Sequence, residues 1–112
     1  MSFVYKVTRK SFHMELELPY TEEKDNTTKR YYETAEKAVE ACNVCLRQVE
    51  QEVHQKWDKT FSGGKSCDVF FSGFSVEEAN RKWAEMDTIM VLDYKCQYHT
   101  LYQIKVQRIP LL

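Results

Sequence analysis

Residues 34–57 read TAEKAVEACNVCLRQVEQEVHQKW. No glycine or proline interrupts them for about six helical turns. At about 100° per residue, Ala35, Ala38, Val39, Cys42, Cys45, Leu46, Val49, Val53 and Trp57 fall on one stripe roughly 120° wide. That pattern predicts a long helix with a single buried side. Everything around it reads as strands and one shorter helix that can cover the stripe.

Upstream, residues 3–8 (FVYKVT) alternate Phe3, Tyr5 and Val7 with Val4, Lys6 and Thr8. Residues 12–18 (FHMELEL) alternate more cleanly, with Phe12, Met14, Leu16 and Leu18 on one face and His13, Glu15 and Glu17 on the other. A period of two with aromatic and branched side chains predicts strands. Arg9, Lys10 and Ser11 between them read as a hairpin turn, and Pro19 closes the second strand. Residues 20–30 (YTEEKDNTTKR) are polar and aperiodic, the expectation for a loop or a loose extension of the hairpin. Arg30, Tyr31 and Tyr32 read as a short strand entering the helix. Thr34 is the expected N-cap, without a full capping box because Lys37 stands where Glu or Gln would close it.

Downstream, the helix is expected to stop around Asp58–Phe61, ahead of Ser62-Gly63-Gly64. The run from Cys67 to Phe71 (CDVFF) reads as a short buried strand. Ser75-Val76-Glu77-Glu78 is a Ser-x-x-Glu capping box, and Val76, Ala79, Trp83 and Met86 follow at helical spacing, which predicts a helix of about three turns. Thr88 to Leu92 (TIMVL) and residues 98–109 (YHTLYQIKVQRI) read as the last two strands, turning through Lys95-Cys96-Gln97. In the second of them, Tyr98, Tyr102, Ile104 and Val106 share one face, and Leu101, Gln103, Lys105 and Gln107 the other. Strands at both ends with helices between them predict an α+β fold. The expected arrangement is two layers, a mostly antiparallel sheet with one long and one shorter helix on one face. Residues 1–112 are expected to form a single domain.

The composition is that of a globular chain, 43% hydrophobic and 29% charged. Sixteen basic and seventeen acidic residues leave a formal net charge of −1, which removes the case for nucleic-acid binding by the whole surface. A local basic face remains open. The first eighteen residues hold no apolar run of signal-peptide length, and no segment approaches a membrane span. Four cysteines in 112 residues do not suggest a disulfide framework, so a reducing, cytoplasmic location is expected.

Motif chemistry is sparse. Cys42-Asn43-Val44-Cys45 is a C-x-x-C, but it falls mid-helix rather than at a helix N-terminus, so it reads as two small core residues. Cys67 and Cys96 stand alone and complete no zinc pattern. Gly64-Lys65-Ser66 lacks the glycine of a phosphate loop, since Lys59 holds its place. His54 reads as solvated. No nucleophile elbow, zinc-protease or nucleotide fingerprint occurs, and no cofactor, catalytic or metal-binding residue is assigned.

Three functions remain. The leading expectation is a non-catalytic module that occupies the surface of another protein, as an inhibitor or adaptor does. That class includes virus- or phage-encoded antagonists of host machinery. Its expected contacts are Tyr31, Tyr32, Val44, Tyr94, Lys105 and Arg108, because lone apolar residues on polar faces and surplus tyrosines suit interfaces. The second is a nucleic-acid binder using Lys6, Arg9 and Lys10 of the first hairpin and Lys95, Lys105 and Arg108 of the last, with Tyr94, Tyr98 and Tyr102 interleaved. It requires the two hairpins to be neighbours. The third is a small metal-dependent enzyme built on His13, Glu15 and Glu17, with His99 as a further donor. A homo-oligomer is compatible with all three, through a terminal strand left at an open sheet edge.

Overall fold

The computed structural model describes residues 2–17, 20–60, 71–96 and 100–112, with side chains at all of these except 13–17, 20–26, 56–60, 96 and 100. Four strands and two helices follow in the order β1 (Phe3–Glu17), β2 (Tyr20–Tyr32), α1 (Ala35–Thr60), α2 (Val76–Trp83), β3 (Thr88–Cys96) and β4 (Thr100–Pro110). The strands form one sheet in the order β2-β1-β4-β3, every pair antiparallel. Helices pack on one face of it, as the sequence pattern predicts.

The stripe on α1 makes the core. Ala38, Val39, Cys42, Leu46, Val49 and Val53 are buried, as are Val7, Ile89, Tyr102, Ile104 and Val106 of the sheet. Each fully buried aliphatic side chain of this kind contributes about 1.5–3 kcal/mol. Ala79 and Trp83 of α2 complete the layer, and Trp83 stacks at a tilt on Tyr5 with centroids 5.0 Å apart. Thr34 caps α1 through an Oγ1 that accepts from Lys37 N at 3.2 Å. Ser75 caps α2, accepting from Glu78 N at 3.2 Å while its hydroxyl donates to the Glu78 carboxylate at 3.3 Å.

Five expectations change. The first two strands are one: β1 runs unbroken through Arg9, Lys10 and Ser11, which pair with Thr28, Thr27 and Asn26 on one side and Ile104, Gln103 and Tyr102 on the other. A polar stretch survives mid-strand because partners on both sides satisfy its backbone and Arg9 finds a carboxylate on α1. The polar segment 20–30 is the body of β2. It needs no apolar period, because an edge strand is held chiefly by its ladder to β1. Phe71 lies outside any strand, and Lys95 and Cys96 of the expected 95–97 turn belong to β3, opposite Leu101 and Thr100; Gln97, residues 67–70 of the expected strand and the 62–64 helix stop lie outside the described residues. Finally, α2 ends at Trp83, two turns rather than three, and Met86 is exposed beyond it.

The near-continuous apolar run Thr88–Leu92 is accommodated by a bulge. Ile89 opposes Val106 and Met90 opposes Lys105, but Leu92 opposes Ile104. Val91 is the extra residue, so Ile89 and Leu92 both face the helices. The chain ends are not at the sheet edges. β1 and β4 are the central pair, joined from Phe3↔Pro110 to His13↔Thr100, and the edges are β2 and β3.

Candidate functional site

α1 crosses the middle of the sheet, and β2 extends past it. The space left between them is a cleft of about 500 Å³. Its sheet wall is Val7, Arg9, Thr28, Arg30 and Tyr32. These share a face because Arg30 opposes Val7, Thr28 opposes Arg9 and Tyr32 opposes Tyr5. Its helix wall is Lys37, Glu40, Ala41, Val44, Cys45 and Gln48, residues three and four apart along one flank of α1. The floor is apolar, from Val7, Ala41 and Cys45, while Val44 stands 52% exposed on the rim.

Cations dominate the polar part of the lining. Arg9 is committed to α1, donating to Gln48 Oε1 at 2.7 Å and to Glu52 Oε1 at 2.6 Å. Arg30 and Lys37 are not so engaged: among the described residues no side chain forms an ion pair or hydrogen bond with either. Among the described residues Glu40 is the sole carboxylate of the lining.

Both thiols of the C-x-x-C are free. Burial pushes the Cys42 thiol up to about 12, and neighbouring Cys45 adds to the rise. Burial also raises Cys45, and the guanidinium groups of Arg9 and Arg30 pull it part of the way back. A thiol held protonated is a poor nucleophile and a poor metal ligand. Among the described residues no group of three or more His, Cys, Asp or Glu is placed to hold a metal ion.

The other flank of α1 is used differently. Asn43, Arg47 and Glu50 hold the segment leading into α2. Asn43 bonds Phe74 in both directions, and Glu50 accepts from Phe71 N at 2.7 Å and from Arg47 Nη1 at 2.6 Å. Burial pushes the Glu50 carboxyl up, but the Phe71 N–H, Arg47 and His54 more than reverse it, and the net shift is downward. Sequence reading missed this clasp, as it missed Thr28, Arg30 and Lys37 in the cleft. The legible signals were Val44, an apolar residue off the stripe, and Tyr32, one of two adjacent tyrosines.

The six expected contact residues do not form one patch. Tyr32 and Val44 both line the cleft. Tyr31, 62% exposed, and Lys105 lie on the face of the sheet turned away from the helices. Tyr94 meets Phe71 edge-on at 5.1 Å, and Arg108 donates to Trp83 O at 2.8 Å with its guanidinium 4.5 Å from the Phe3 ring centroid, so both serve the fold. The basic hairpins do meet, because β1 pairs with β4. Yet Arg9, Arg108, Tyr94 and Tyr102 face the helices, and Lys6, Lys10, Lys95 and Lys105 face away. His13, Glu15 and Glu17 lie in β1 opposite Lys24, Glu22 and Tyr20; their side chains, and His99 and Tyr98 entirely, are outside the described residues. No helix among the described residues is long and apolar enough to cross a membrane.

Comparison with protein-family models, with curated proteins and with solved structures yields no match.

Proposed function

We propose that this chain is a non-catalytic protein-binding module, of inhibitor or adaptor type, that grips an extended acidic segment of a partner between β2 and α1. The cleft carries this reading. Its apolar floor accepts small hydrophobic side chains, and its two uncommitted cations, Arg30 and Lys37, suit carboxylates beside them. β2 is a sheet edge, so its outer backbone groups can pair with an added strand. Alternate side chains of that strand then lie beside Thr28, Arg30 and Tyr32 and close the cleft. Cys45, the thiol on the floor, is held protonated, which favours binding over covalent chemistry.

Panning a random peptide library against the immobilised chain tests this. Peptides alternating acidic and small apolar residues should be enriched. Their affinity should fall about tenfold or more, some 1.4 kcal/mol, in Arg30→Glu and in Val44→Asp. Recovery of no peptide, or of peptides indifferent to both changes, overturns the proposal.

A further inference from the structure

The face of the sheet turned away from the helices carries a second feature, independent of the cleft. Register places Tyr31, Lys6, Gln107 and Thr88 in one row across the four strands. The next row is Lys29, Thr8, Lys105 and Met90, and the one beyond it Thr27, Lys10, Gln103 and Asp93. None of these residues is buried. Lys6, Lys10, Lys29 and Lys105 therefore surround Thr8. Adjacent strands lie about 4.8 Å apart, which puts the Cα atoms of Lys29 and Lys105 about 10 Å apart across the sheet, and Lys6 and Lys10 about 14 Å apart along β1. Asp93, held by Gln103 at 3.3 Å, is the single carboxylate in these three rows, and the next row along pairs one cation, Lys95, with one acid position, Asp25.

The whole chain is nearly neutral, so this face is basic by segregation. The helices carry acids of their own, Glu36, Glu40, Glu52, Glu77 and Glu78 among them, while in the three rows around Thr8 four lysines face one aspartate. We infer that the lysine face docks the phosphate backbone of a single-stranded nucleic acid. Charge complementarity selects a polyanion. Tyr31, the most exposed described aromatic and paired beside Lys6, offers a ring on which a base can stack. Thr8, Gln103 and Gln107 add hydrogen-bonding groups between the cations. A second copy of this chain does not fit, because a two-fold contact through this face sets lysine against lysine.

Fluorescence anisotropy with labelled oligo-dT and oligo-U tests the inference on the full chain. Binding at low salt is expected, with log affinity falling against log salt at a slope near −3, about −0.7 for each of four contacts. The triple change Lys6→Gln, Lys29→Gln, Lys105→Gln should abolish it, and Tyr31→Ala should weaken it about tenfold. Lys29→Gln alone, on the exposed edge strand, should lower the slope by about 0.7 and serves if the triple variant does not fold. Arg30→Glu, in the cleft, should leave oligonucleotide binding unchanged. Three results overturn the inference. One is no oligonucleotide binding at low salt. Another is binding that survives the lysine changes. The last is equal or tighter binding to polyglutamate or to vesicles of phosphatidylserine and phosphatidylcholine.

Discussion

Asn43 holds Phe74 by both ends of its amide: Nδ2 donates to Phe74 O at 2.8 Å, and Oδ1 accepts from Phe74 N at 2.7 Å. The reciprocal pair mimics one rung of a sheet and fixes the entry to α2 against the flank of α1. Asn43→Ala leaves both backbone groups of Phe74 short of a partner. It should cost about 1–3 kcal/mol, read from chemical denaturation, with faster hydrogen exchange at the Phe74 amide. Unchanged exchange there would show that the segment is held by packing alone.

Glu50 links stability to pH. Its carboxyl is held below the usual 4.5 on balance, because the Phe71 N–H and Arg47 outweigh the cost of burial. A lowered carboxylate contributes fully above its unfolded pKa and is lost as pH falls through its folded value. Stability should therefore decline below about pH 4.5. Glu50→Gln should flatten that acid limb, as measured by thermal unfolding across pH.

The thiols respond in the opposite sense. Cys42, pushed up to about 12 by burial and by Cys45, stays protonated in the folded chain well above the ordinary value of 9.0. A raised pKa contributes stability in full below the unfolded value and is lost as pH rises toward the folded one. Stability should fall between pH 9.0 and about 12, and Cys42→Ala should lessen that slope, leaving the smaller share carried by Cys45. In the native chain, iodoacetamide should modify half-exposed Cys45 before buried Cys42, as peptide mapping by mass spectrometry reads directly.

Core substitutions should separate packing from polarity. Leu46 is 1% exposed at the centre of the stripe, so Leu46→Ala should cost about 2–5 kcal/mol. Trp83 Nε1 is buried and, among the described residues, has no hydrogen-bond partner. Trp83→Phe therefore loses volume but no hydrogen bond, and it should cost clearly less than Trp83→Ala, at about 3–5 kcal/mol. Urea denaturation of the three variants checks the order.

The buried side of the molecule was legible in the sequence because burial imposes a period. The stripe from Ala35 to Val53 and the alternation of Tyr102, Ile104 and Val106 each follow from one face meeting the core. β2 was not legible. Thr28 and Arg30 border a cleft and Lys29 faces solvent, so no apolar rhythm marks a strand whose existence depends on its partner. Arg9 looked like a turn residue, since sequence order does not reveal Glu52 waiting above it on α1. Site residues were harder still. The cleft joins positions from β1, β2 and α1 that only the register brings together, and of its lining only Val44 and Tyr32 stood out in the sequence.

The most direct test of the protein-binding account is backbone NMR of the chain titrated with a peptide enriched by panning. Shift changes should concentrate at 28–32 in β2 and 37–48 in α1, with new hydrogen-exchange protection along the outer edge of β2. Changes confined to the lysine face around Thr8, or scattered without protection of β2, would contradict it.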